Sequence, residues 1–217
     1  MPLDSEGKYV DGNRWSPAER KRFQYTRAYQ LTMLLPYSRQ DEYFLFVGAH
    51  LGRGDESGLK AGEELADHFV SQMGPGVIKL LMMDREFIDG EMIRRFKKKH
   101  GIDCLVPLKS NLHALIDALE IAKFEEVPWV VYDEGKDETG KVGEVESWES
   151  CEVPLFIVLV RTRKVDGTSE IWALACTRSF EDPREARKLY TGRMQIELSS
   201  CKNILRNFVF APAFKGQ

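Results

Sequence analysis

A chain of 217 residues, 43% of them hydrophobic, is long enough to bury a full core, either as one domain with an insertion or as two small ones. It has no apolar run of membrane-spanning length and no basic-then-apolar leader, which predicts a cytosolic protein with no membrane partner. A net charge of -3 sets it apart from strongly basic nucleic-acid binders, and its four cysteines, Cys104, Cys151, Cys176 and Cys201, lack the C-x-x-C pairing of a zinc site.

In chain order, residues 1–28 form a polar and basic segment. Ser16 and Pro17 have the form of a helix start, serine as cap and proline at the first helical position. The basic stretch from Glu19 to Arg27 suits either a solvated surface or a contact with a DNA backbone, with Phe23 and Tyr25 packed beneath it. Tyr29 to Pro36 and Tyr43 to Ala49 are two apolar, aromatic-rich runs around a polar turn, which predicts an antiparallel hairpin. His50 to Gly58 reads as a glycine-rich loop. Leu59, Leu65, Phe69 and Met73 share a helical face that ends at Gly74-Pro75-Gly76.

Val77 to Met83 is an apolar run of a length suited to a strand buried on both faces, and it stops at Asp84. An acid at the carboxyl end of such a strand stands where open α/β sheets place their ligands. Asp89-Gly90 marks a turn. Glu91 to His100 then alternates an apolar face of Met92, Ile93 and Phe96 with a basic one of Arg94, Arg95, Lys97, Lys98 and Lys99, a surface suited to phosphates. After Gly101, Ile102 to Leu108 predicts a second strand, ending at Lys109.

Asn111 to Ala122 has helical periodicity, with Leu112, Leu115, Ile116 and Leu119 inward and Asn111 placed to cap it. From Trp129 the pattern turns to β. A short strand precedes an acidic loop through Glu152, and Leu155 to Thr162 and Glu170 to Thr177 make a hairpin around Asp166-Gly167. Glu181-Asp182-Pro183 opens a last helix. On it Tyr190, Arg193 and Glu197 fall at i, i+3 and i+7 beside an apolar stripe.

Two of these motifs carry a resemblance. Asp84-Arg85-Glu86-Phe87 is similar to the D-R-G-F motif around the second catalytic aspartate of DDE transposases of the bacterial insertion-sequence-4 group, with Glu86 in place of glycine. Tyr190, Arg193 and Glu197 reproduce the first three members of that group's Y-x2-R-x3-E-x6-K signature, and Ile204 stands where its lysine would be. Lys202 lies about 140° around the helix from Glu197 and is a poor substitute.

The resemblance implies an α/β fold with a ribonuclease-H-like mixed sheet, flanking helices and a β-rich insertion before the last helix. It divides the chain into the amino-terminal segment 1–28, a core over 29–124, the insertion over 125–180 and the closing helix and tail over 181–217. It implies Mg²⁺-dependent DNA cleavage and strand transfer, with Mn²⁺ able to substitute. Asp84 and Glu197 would be metal ligands and Asp4 a candidate first acid, while Tyr190, Arg193, Lys109, Arg94, Lys97 and Lys98 would lie against DNA. The partners it implies are transposon ends, target DNA and a second copy of the chain, and the location is the bacterial cytoplasm at the nucleoid. A catalytically inactive remnant that binds DNA or a subunit, and a metal-dependent nuclease without strand transfer, are the alternatives.

Overall fold

The first two strands, β1 (Tyr29–Leu34) and β2 (Gly48–Arg53), pair antiparallel, with Leu31 opposite Leu51 and Leu34 opposite Gly48. The computed structural model describes residues 29–36, 47–53, 57–134 and 136–192. The hairpin is therefore present, but its second strand continues beyond Ala49 to Arg53 and takes in the start of the stretch read as a loop. The Leu31–Leu51 cross-strand pair accounts for that continuation. Tyr43 to Phe46 lie outside the described residues.

Helix α1 (Gly58–Met73) follows and ends at Gly74, whose φ of 91° is open to glycine and costly for other residues. Next come β3 (Leu80–Met82), helix α2 (Gly90–Arg95), which widens into a π-turn over Phe96–His100, and β4 (Asp103–Pro107). Helix α3 (His113–Phe124) leads into β5 (Trp129–Asp133), β6 (Asp137–Val145), β7 (Leu155–Arg163) and β8 (Ser169–Cys176). Residues 183–192 then form a helix, α4.

Six of the strands make one mixed sheet in the order β3-β4-β8-β7-β6-β5, in which only β3 and β4 are parallel neighbours. The strands between 129 and 176 thus continue the sheet that begins with β3 and β4, joined to it where β8 pairs with β4. Strand alternation sorts the core into two layers. Cys104, Val106, Ile157, Leu159, Ala173 and Ala175 face α1, α2 and α3, whereas Leu105, Val158, Val160, Leu174 and Cys176 face α4. The result is a mixed α/β fold with helices on both faces of the sheet. Among the described residues no helix is long and apolar enough to cross a membrane.

Three expectations are corrected. The strand before Asp84 spans only Leu80–Met82 and is half-buried: among the described residues it pairs with β4 alone, and Val77 is turned out to solvent. The acidic loop contains a full strand, β6: Glu138 pairs across to Arg161, Asp137 is covered by α4, and Gly140 leaves room for Val127, which a Cβ there would approach to 2.7 Å. In α3, Ala114 and Ala118 join Leu115 inside while Ile116 faces solvent, and Leu112 occupies the cap position with no side-chain bond. Small residues let that helix sit close to the sheet.

Candidate active site

Asp84 follows β3 directly. Met83 still gives its N–H to the Leu105 carbonyl at 3.0 Å, and the chain then turns through Arg85–Phe87, closed by the Phe87 N–H on the Asp84 carbonyl at 3.0 Å. The Asp84 carboxylate caps this turn, Oδ1 accepting the Arg85 N–H at 2.6 Å. The half-buried aspartate is thus fixed in direction by its own backbone, as a ligand or acid at a strand end must be. Lys109 occupies the matching end of the parallel neighbour. Extending the Met82–Leu105 register places it about 7 Å further along the strand direction than Asp84.

Helix α4 crosses this end of the sheet. Asp182 starts it by accepting the Arg184 N–H at 2.9 Å. Ala186, Leu189 and Tyr190 pack with Leu80, Met82 and Leu105. Leu189 and Asp84, more than a hundred residues apart in sequence, line one cleft of about 600 Å³. Tyr190 is only 8% exposed, its ring 5.9 Å from that of Trp172, so its aromatic body serves packing. Arg193, Glu197 and Asp4 lie outside the described residues.

Every side chain of the basic helical face has an acidic neighbour. Arg94 and Lys98 share Glu152, at 3.1 Å and 3.5 Å, and Arg95 reaches Glu63 at 2.7 Å. Lys99 and His100 converge on Asp67, at 3.1 Å and 2.7 Å. Burial alone would raise the Asp67 carboxyl, but hydrogen bonds from Lys99 and His100 outweigh it and hold it below the usual carboxylate range. Lys97 differs from the rest. It is 2.6 Å from Asp103, which also accepts the Thr177 hydroxyl at 2.8 Å, while Thr177 Oγ1 accepts the Cys104 N–H at 3.1 Å. Lys97 belongs to the joint between β4 and the end of β8, whereas the exposed pairs are each worth about 0–1 kcal/mol and are easily exchanged for phosphate contacts.

A group with no local sequence signal anchors α4 from the other side. Arg187 binds Asp137 of β6 through Nε and Nη2, meets Thr191 one turn on, and lies 5.3 Å from the ring centres of both Tyr132 and Trp172. Asp137 is buried, and its partner is fifty residues away. The three described cysteines are also buried. Burial pushes the Cys151 and Cys176 thiols up to about 11 and raises Cys104 further, which makes them inert core residues.

Among the described residues no three His, Cys, Asp or Glu side chains are grouped to hold a metal ion. Asp84 supplies hard carboxylate oxygen, the donor type that suits Mg²⁺. Neither protein-family models nor curated proteins match the chain.

Proposed function

We propose that the chain is the catalytic domain of a DDE-type transposase, built on a ribonuclease-H-like sheet, that cuts and joins DNA strands with Mg²⁺ or Mn²⁺. The observation that carries this reading is the approach of α4 to the strand end bearing Asp84, where Leu189 and Asp84 share one cleft. Glu197 stands seven residues beyond Tyr190, two helical turns, so a continued α4 would carry it on the same face. That continuation would bring the two motifs, distant in sequence, to one end of one sheet.

Asp84 and Glu197 would hold the metal, which when bound stabilises charge on attacking and leaving phosphate oxygens. The chain's own residues position the DNA. Arg193 and Lys109 supply charge to the phosphates, and Lys98 and Lys99 extend that surface by exchanging their exposed carboxylate partners for DNA. Arg94 is less available because its side chain is less exposed than that of Lys98, 35% against 56%. Tyr190 keeps the helix seated through its contact with Trp172. The partners are transposon ends and target DNA, with a second copy of the chain in the active complex, and the place is the cytoplasm at the nucleoid.

The second reading, an inactive remnant that binds DNA or a subunit, is favoured by Ile204 at the lysine position and by the ion-paired state of the basic helix. Titration with Mn²⁺ separates the two. Asp84→Ala and Glu197→Gln should each weaken binding by at least the roughly 10–100-fold lost when only outer-shell partners of a metal are removed. Equal Mn²⁺ affinity in all three proteins contradicts the catalytic reading.

A further inference from the structure

Glu152 has a φ of 47°, in the left-handed region, and among the described residues no other residue except glycine does so. A glutamate pays for that conformation in steric strain, so its surroundings must hold it there. Its loop, between β6 and β7, is anchored by Trp148 and Val153, which pack on the core, and by Cys151, which is buried. Ser150 and Cys151 run against Gly90 at the start of α2. From that point the exposed Glu152 side chain reaches Arg94 and Lys98, one and two turns further along the helix. The grip is incomplete. Arg94 Nη1 and Lys98 Nζ meet the same oxygen, Oε2, at 3.1 Å and 3.5 Å. Nε of Arg94, on the other edge of the guanidinium, is buried with no hydrogen-bond partner among the described residues. Arg187 shows the fuller grip, holding Asp137 through Nε and Nη2 together.

We propose that Glu152 is a built-in competitor for DNA: in the free chain its carboxylate occupies the Arg94–Lys98 site, and a backbone phosphate displaces it when DNA binds. The proposal rests on the DNA-binding part of the transposase reading and adds a regulation to it. Two like charges four residues apart on a helix repel, so Arg94 and Lys98 call for an anion between them. A phosphate diester brings two equivalent anionic oxygens, one for each cation, and arginine's planar fork suits it. Glu152 serves both cations with one oxygen and does so from a strained backbone. Its release therefore relaxes the loop. Glu63 and Asp67, the other acids that answer the basic helix, stand on α1 in regular helix, so giving up their partners relieves no backbone strain. The carboxylate at Glu152 thus sets a threshold that weak anions do not cross, while a polyanion with many further contacts does.

Binding of a duplex oligonucleotide of arbitrary sequence, read by fluorescence anisotropy at low salt, tests the competition. Glu152→Gln should raise the affinity roughly two- to thirtyfold, the release of two exposed ion pairs. Glu149→Gln removes the same charge from an exposed position on the same loop and should raise it much less. In a chain that also carries Arg94→Ala and Lys98→Ala, Glu152→Gln should bring no gain. An equal gain from both glutamines, a gain that persists without the two cations, or no gain overturns the proposal. Amide exchange of Val153, whose N–H bonds the Cys151 sulfur, reports the backbone at 152. It should quicken in Glu152→Gln and in the full chain on adding DNA, while Val158 and Leu174 in β7 and β8 keep their protection and report an intact fold. Unchanged exchange of Val153 in both cases shows that packing holds the backbone, which also overturns the proposal. DNA binding that Glu152→Gln leaves unaltered sinks the competition alone, whereas no DNA binding in any of these proteins sinks the DNA-binding reading itself and the competition with it.

Discussion

Arg187 holds Asp137 through two nitrogens, Nε at 3.1 Å and Nη2 at 2.7 Å, and so fixes the last described turns of α4 to strand β6. The carboxylate is buried and the guanidinium nearly so. Removing one partner leaves the other charged and dry. Asp137→Ala should therefore cost about 3–5 kcal/mol in urea unfolding, the range for breaking a buried pair. A loss below about 1 kcal/mol, the value of an exposed pair, would mean the two groups are hydrated.

Gly90 stands against the segment that carries Glu152. A Cβ there would lie 2.8 Å from the Cys151 nitrogen and 2.9 Å from the Ser150 carbonyl carbon, both backbone atoms that move only with their chain. Gly90→Ala should destabilise by about 1–3 kcal/mol and loosen the Arg94–Glu152 pair. Gly101→Ala has open space but a φ of 66°, so its cost is the backbone strain alone, about 1–2 kcal/mol. Thermal unfolding of the two variants checks both values.

If the chain binds DNA as proposed, the salt dependence of that binding should separate lysines that touch phosphate from those that hold the fold. Lys98→Ala with Lys99→Ala should reduce the slope of log K against log salt by about 1.8, at 0.9 per phosphate contact. Lys97→Ala should lower stability and leave the slope nearly unchanged, because Lys97 is bound to Asp103. Fluorescence anisotropy across a salt series reads both outcomes. An unaltered slope in the double variant assigns the whole helix face to solvent.

Asp67 gives the protein part of its acid sensitivity. Its carboxyl lies below the ordinary value in the folded chain, so its contribution is present above the unfolded pKa, about 3.9, and is lost as pH falls through the folded value. Asp67→Asn should therefore flatten the fall in Tm below about pH 4 and lower Tm at neutral pH. Parallel Tm curves for the two proteins would show that Lys99 and His100 do not hold the carboxylate.

The legible parts of this fold are those whose signal is local. The Leu155–Cys176 hairpin follows from alternation around Asp166-Gly167, and Asp84 at a strand end follows from an apolar run that stops at an acid. Strand β6 was hidden because its glutamates, lysine and glycines read as loop, and only their partners Arg161, Arg187 and Val127, all distant in sequence, make a strand of them. The short β3 was hidden for the opposite reason. Val77 and Ile78 are apolar enough to extend it, but β4 pairs with it only at Leu80–Met82. The charge pattern of residues 94–99 was plain, while the acids that answer it come from α1, β4 and the loop after β6.

Asp84 is the proposed metal ligand, and cleavage of a DNA substrate shows whether it acts as one. The full chain and its Asp84→Ala variant are compared with Mg²⁺, with Mn²⁺ and with chelator, at equal DNA affinity and equal Tm. Metal-dependent strand cleavage that disappears in the variant is the predicted result. Cleavage that is the same in both proteins, at background or above it, contradicts it.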